Sequence, residues 1–150
     1  MATFEPADPT FASRVRDSFA RQRLLATIGA TLEHVAPGEV DIRLPFREDL
    51  TQQHGFLHAG AVTTVVDTAC GYAALTLMPR ESAVLTVEFK MNLLAPGRGD
   101  AVVARARVLK AGRTLTVARG DVVALERGEE KLVATMLATI MTVRGRGIAD

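Results

Sequence analysis

Tryptophan is absent from the chain, tyrosine occurs once, cysteine occurs once, and 18 basic residues against 17 acidic ones leave a formal net charge of only +1. Without aromatic platforms to stack bases on, and without a strong positive field, nothing in the composition equips the chain for nucleic acid. The lone Cys70 has no partner for an intramolecular disulfide and no CxxC neighbour for a metal. It sits between Ala69 and Gly71 in an apolar run and reads as a buried, inert thiol. His34, His54 and His58 lack the HExxH spacing of a zinc site. No Gly-x-Ser-x-Gly elbow is present, so a serine hydrolase of that kind is excluded. Met1 to Thr10 carries Glu5, Asp8 and two prolines in place of a basic stretch followed by an apolar one. It does not read as a secretory leader, and the expected compartment is the cytoplasm.

What is present is ordinary globular material: 150 residues, 48% apolar and 23% charged, enough for a single domain with one core. The longest apolar stretch runs from Ala59 to Met78 with Asp67 as its only charge. Its length alone would just reach across a bilayer. Asp67 near its middle, the threonines at 63, 64 and 68, and the lack of basic or aromatic flanks argue against that. The stretch reads as a helix apolar on all sides and buried at the centre of the domain, with no membrane partner.

Around it the periodicity gives an α+β domain. Phe11, Val15 and Phe19 predict an N-terminal helix over about 11–26, with Thr10 as N-cap and Arg14, Arg16, Arg21 and Arg23 on a solvated face. Thr31–Val35 and Val40–Pro45 read as strands around an Ala36-Pro37-Gly38 turn. After Pro79 the pattern has period two: Leu85, Val87, Phe89, Met91 and Leu93 on one face, Thr86, Glu88, Lys90 and Asn92 on the other. Strands at 101–109, 114–125 and 131–143 follow, joined by short loops that demand antiparallel pairing. The tail over 144–150 is expected to fray. The expected architecture is one long helix packed on an antiparallel sheet of five to six strands, with a second subunit covering the other face.

The chemistry concentrates around the start of the long helix, in Gln52-Gln-His-Gly-Phe-Leu-His58-Ala59-Gly60 and the residues up to Asp67. A helix starting near His58 or Ala59 presents unpaired backbone N–H groups and the positive end of its dipole. The small Ala59 and Gly60 allow a carbonyl to approach those donors, which makes an oxyanion site. A lone carboxylate in an uncharged helix is costly unless it is bonded or used, so Asp67 reads as a general base or nucleophile. His58 and Asp67 are nine residues apart, about 13 Å along a helix and nearly on opposite faces. If both serve one reacting atom, the site is built from two subunits.

His58-Ala-Gly60, six uncharged residues and then Asp67 resemble the His-Gly-Gly…Asp signature of hotdog-fold acyl-CoA thioesterases of the phenylacetate-pathway (PaaI-like) type. The resemblance extends over about 35–143, taking in Thr86-Val-Glu-Phe-Lys90, Leu94-Ala-Pro96 and Ala111-Gly-Arg113. It implies that Asp67 activates water or attacks the thioester carbonyl and that the Gln52 amide positions that carbonyl. It further implies that the Ala59 N–H is the oxyanion donor, that Thr86 assists the attacking water, and that His58 orients the helix start. Gly60 is a substrate-binding candidate because it lets a group approach the helix start, and His54, outside the motif, is a candidate for lining the pocket. Ala59 stands where the family has glycine, which bears on substrate choice more than on activity. Coenzyme A brings phosphates, for which Arg98 and Arg113 in turns at strand ends are the candidates. No cofactor is implied. The implied partners are an acyl-CoA substrate and further copies of the chain, as a dimer with sites at its interface or a dimer of dimers. A hotdog dehydratase or hydratase, and a non-catalytic acyl-CoA binder, are the alternatives.

Overall fold

The computed structural model describes residues 4–150; residues 1–3, the start of the segment read as carrying no leader, lie outside it. Two short helices, α1 (Phe11–Arg21) and α2 (Arg23–Ile28), precede the hairpin of β1 (Thr31–Ala36) and β2 (Glu39–Pro45). A single helical turn at Glu48–Leu50 leads to the long helix α3 (Ala59–Leu75). Then come β3 (Ala83–Leu93), β4 (Ala101–Lys110), β5 (Leu115–Glu126) and β6 (Glu129–Val143). All six strands form one sheet in the order β1-β2-β4-β5-β6-β3, every neighbouring pair antiparallel. This is the α+β hotdog arrangement that the resemblance implies. None of the described helices is long and apolar enough to cross a membrane.

Helix α3 is central because its own chemistry allows full burial. Val62, Val65, Val66, Ala69 and Cys70 are buried against the sheet. The hydroxyls of Thr63, Thr64 and Thr68 donate to the carbonyls of Ala59, Gly60 and Thr64 one turn back, at 2.8, 2.8 and 2.7 Å. The helix-facing residues of β4 and β5 are small, Val102, Ala104 and Ala106, then Ala118 and Val122, while β6 alternates Ala134 and Ala138 with the larger Met136 and Ile140. Closest approach is at Gly120, where a Cβ atom would fall well inside the van der Waals envelope of Val66 and 3.0 Å from Cys70 Sγ. The β1–β2 turn is Pro37-Gly38, with Gly38 at φ +77°, a conformation that favours glycine.

Four features differ from the sequence expectation. The N-terminal helix is not continuous over 11–26. Gln22 leaves the helix with ψ 102°, and its side-chain amide turns inward to donate to the Tyr72 hydroxyl at 2.8 Å. Arg14 does not join a solvated face. It is 8% exposed and its guanidinium donates to the carbonyls of Leu75, Met78 and Pro79 at 2.8–2.9 Å. Those carbonyls lie at and just beyond the negative dipole end of α3; Leu75 and Pro79 also accept the N–H groups of Met78 and Ser82, while Arg14 is the donor to Met78, and together they draw a buried cation. Asp8 lies 3.4 Å from the same guanidinium.

The third difference is in β3. Its register on β6 shifts between Thr86 and Glu88, so Val87 is bulged out of the ladder. Before the bulge Thr86 opposes buried Ile140; after it Phe89, Met91 and Leu93 oppose buried Ala138, Met136 and Ala134. Leu85 therefore does not share a face with Phe89, and Thr86 looks toward α3. Fourth, the tail is tied back. The Asp150 carboxylate accepts from Ser18 Oγ and from the Val84 N–H, both at 2.9 Å, and the Asp150 N–H donates to the Ser82 carbonyl. The sheet face away from α3 is polar over β2, β4 and β5, with Arg107–Asp41, Arg105–Glu130 and Arg119–Asp121 ion pairs.

Candidate active site

Helix α3 starts where His58 takes an extended conformation and its Nδ1 accepts the Gly60 N–H at 2.8 Å. The histidine is thus an N-cap. It satisfies the second donor of the helix and fixes the direction in which the first turn points. The Gly60 N–H is engaged by this cap, and the N–H groups of Ala61 and Val62 return to the His58 carbonyl. The Ala59 N–H is left for a ligand: no acceptor for it stands among the described residues.

Ala59 borders a cavity of about 400 Å³ whose other walls include Gln52, Phe56, Leu57, Val62, Leu93 and Pro96. Its size is that of a small-ligand pocket and its lining is mainly apolar. Gln52 is oriented by its own loop, since its side-chain carbonyl accepts the His54 N–H. That leaves the amide NH2, the donor end, for the cavity. His54 is exposed and lines neither this cavity nor the one around Asp67.

Asp67 lies two and a half turns along the helix in a second, smaller cavity of about 160 Å³. Thr86 Oγ1 donates to Asp67 Oδ1 at 2.8 Å, across from the edge strand. The pairing depends on the bulge at Val87, which brings Thr86 to the helix side. Burial pushes the Asp67 carboxyl above its ordinary range, and the Thr86 hydroxyl offsets part of that rise. A partly desolvated carboxylate with one oxygen held and the other free suits proton abstraction or attack on an electrophilic carbon.

Gln22, Tyr72 and Val84 complete this cavity and are the residues that sequence reasoning missed. The Ser18 hydroxyl donates to Asp150, so the 3.1 Å contact between Ser18 and Tyr72 is donated by the phenol. A directed chain results, from Gln22 Nε2 through Tyr72 and Ser18 to Asp150. The only signal in the sequence was the single tyrosine five residues after Asp67, on a helix otherwise without aromatics.

One chain brings Asp67 and Thr86 together, and Gln52 and Ala59 together, but in separate cavities. The arginines lie apart from both. Arg98 is exposed, with its Nε 3.9 Å from Glu126, in a hollow that Glu129 and Glu130 also line. Arg113 opens onto a cavity of about 390 Å³ with Arg144 and Arg146. Cys70 is fully buried under the sheet, and burial, with Asp67 and Asp121 nearby, pushes its thiol up to about 12.

Against known proteins, a family model described as the thioesterase superfamily matches residues 54–131, just over half of the chain. The crystal structure of a thioesterase family protein from Silicibacter pomeroyi superposes with a TM-score of 0.88 at 56% identity, covering 90% of this chain and 99% of that one. Human acyl-coenzyme A thioesterase 13 is 32% identical over 114 residues, which is 75% of this chain and 78% of the human protein. The Escherichia coli PaaI protein from the phenylacetic acid degradation operon shares the fold, with a TM-score of 0.83 at 18% identity over 93% of this chain and 97% of that one.

Proposed function

From the premise that this chain belongs to the thioesterase superfamily, we propose that it hydrolyses an acyl-CoA thioester to the free acid and CoA, with Asp67 as general base or nucleophile. The observation that carries this reading is the Asp67–Thr86 pair: a carboxylate alone in an uncharged helix, pushed up by burial, with one oxygen held at 2.8 Å. The human relative's description as an acyl-coenzyme A thioesterase supports the substrate class.

The free Asp67 oxygen takes a proton from water as that water adds to the thioester carbon, or itself forms the new C–O bond. The developing oxyanion is met by the Ala59 N–H and the Gln52 amide at a helix N-terminus. On the first route the C–S bond then breaks and CoA leaves as the thiol with the proton Asp67 took. On the second CoA leaves as the thiolate, and water then cleaves the Asp67 anhydride, giving the free acid, the restored carboxylate and a proton for the thiolate. A thioester is already activated, so the proposed route uses no cofactor.

These parts act together in a dimer. The Asp67 cavity of one chain is completed by the helix start of a second copy, because the two groups lie about 13 Å apart on one helix. Strand β3 supplies the contact: it is a long edge strand with Leu85, Val87, Phe89 and Leu93 each 44–57% exposed. Exposed Leu115 and Leu137, with Leu85, make an apolar patch on the outer sheet face that suits pairing of dimers.

The test is thiol release from a panel of aromatic and aliphatic acyl-CoA esters by wild type and Asp67→Asn. Turnover by wild type and a loss of about a hundredfold or more in Asp67→Asn are expected. Binding of the esters without thiol release would replace the reading with a non-catalytic acyl-CoA binder.

A further inference from the structure

The hydrogen-bond chain between Gln22 and Asp150 reaches the Asp67 cavity and has no part in the proposed reaction so far. We infer that Asp150 is a positioning residue: through Ser18 and Tyr72 it turns the Gln22 side-chain carbonyl into that cavity, where the oxygen accepts a hydrogen bond from the attacking water. This rests on the thioesterase reading, with Asp67 as general base, and adds to it the group that aims the water.

The direction of the chain is fixed at its Asp150 end. A carboxylate only accepts, and this one takes the Ser18 hydroxyl on one oxygen and the Val84 N–H on the other, both at 2.9 Å. With its proton committed there, Ser18 accepts from the Tyr72 phenol at 3.1 Å. Tyr72 then has only lone pairs to offer Gln22, so the amide NH2 faces it, at 2.8 Å. The other end of the amide, the carbonyl oxygen, takes part in no hydrogen bond among the described residues. Its orientation is thus set by a carboxylate two side chains away.

Placement brings that oxygen to the reaction. Gln22 lines the 160 Å³ cavity together with Asp67, Gly71 and Thr86. It reaches there because α1 ends at it, with ψ 102°, and the side chain turns inward. Gly71 follows Asp67 by one turn on the same helix face and leaves the hollow open, since a Cβ there would meet only Val84, at 3.9 Å. The space is ample for water.

The chemistry needs a second acceptor. A water that adds to a carbonyl carbon must aim a lone pair at it, so both its hydrogens are held on the opposite side. Asp67 takes one as a proton while the new C–O bond forms; the other stays on the oxygen and leaves in the acid product. Of the remaining side-chain oxygens in the cavity, the Thr68 and Thr86 hydroxyls donate to Thr64 and Asp67, and the phenol bonds Ser18 and Gln22. The Gln22 carbonyl carries no bond and is the acceptor at hand.

Asp150→Asn tests the chain without changing its shape. The Val84 N–H only donates, so the new amide must turn its oxygen to Val84 and its NH2 to Ser18. Ser18 then donates to Tyr72, Tyr72 donates to the Gln22 carbonyl, and the Gln22 NH2 faces the cavity. On any ester that wild type turns over, kcat should fall tenfold or more with KM unchanged, and Gln22→Met should do the same. Adding Gln22→Glu to Asp150→Asn returns an acceptor to the cavity and should recover most of kcat, read on the plateau of the pH profile. Tyr72 is the only tyrosine, so its 13Cζ resonance reports on the chain without turnover and should move in Asp150→Asn. A raised KM with kcat intact would make Gln22 a contact to the acyl group and overturn the inference. So would an unmoved resonance, an unchanged kcat in either single variant, or a loss in Asp150→Asn that Gln22→Glu does not recover, which marks a loosened tail. These outcomes leave the thioesterase reading standing; absence of thiol release by wild type from every ester sinks that reading and the role of the water with it.

Discussion

Gly120→Ala should weaken the fold and the chemistry together, because β5 and α3 touch at that residue. The new methyl would overlap Val66 and lie 3.0 Å from Cys70 Sγ. Carbon atoms rest at about 3.5–4.0 Å, so the helix must retreat by on the order of 1 Å. Val66 cannot swing away easily, being β-branched and fully buried on a helix. Overpacking of this kind costs about 1–3 kcal/mol, while replacing glycine returns roughly 0.4–1 kcal/mol through the unfolded chain. The net loss lies between about 0 and about 2.6 kcal/mol, a fall in Tm of up to about 10 °C for a chain of this size. Asp67 follows Val66 directly, and a shift of about 1 Å in a reacting group costs on the order of a hundredfold in rate. Calorimetric melting and thiol release on the same preparation read both effects. Unchanged Tm and unchanged kcat would refute the claim that the helix is seated on Gly120. A lower Tm with full activity would mean that the sheet yields and the helix does not.

Asp67→Asn should raise the melting temperature at neutral pH while removing activity. The folded state holds the Asp67 proton more tightly than the unfolded chain does, so its contribution to stability is favourable at low pH and is lost as pH rises through the raised pKa. The uncharged amide removes that loss, and a lower Tm for the variant at pH 7 would contradict the sign. Thr86→Val removes the hydroxyl that holds Asp67 down; the acid limb of the kcat/KM profile should move to higher pH, and an unmoved limb would detach Thr86 from the base. Arg14→Met leaves the Met78 carbonyl without its donor and takes one of two donors from Leu75 and Pro79, and should cost about 1–3 kcal/mol by denaturant titration. Phe89→Glu on the exposed edge strand should shift the species seen by light scattering to the monomer and abolish turnover, and an active monomer would refute the shared site.

The parts of this molecule legible in the sequence are those set by composition along one element. Asp67 stood out because nothing else in its helix is charged, and the His58-Ala59-Gly60 start because small residues at a helix N-terminus have few other uses. The parts that were not legible are decided between elements. Arg14 carries the same signature as its exposed neighbours, and only the carbonyls at the end of a helix more than sixty residues away turn it inward. The alternation of β3 looks uninterrupted from Leu85 to Leu93, since a bulge at a valine leaves no mark in an apolar–polar pattern. Nor does the loop after β3 reveal that β4 lies on the far side of the sheet, with β3 paired to β6. Gln22 breaks its helix for the sake of Tyr72, fifty residues on.

The bulge at Val87 also sets how this sequence can change over generations. Its side chain is half exposed, so exchanges of one residue for another there cost little. Loss of the position is a different matter. Deleting it would restore regular pairing and force one half of the strand to turn over: either Thr86 leaves Asp67 or Met91 leaves its packing against the core. A homologue one residue shorter at this point would have to place the hydroxyl elsewhere. The strand is permissive in spelling and strict in length.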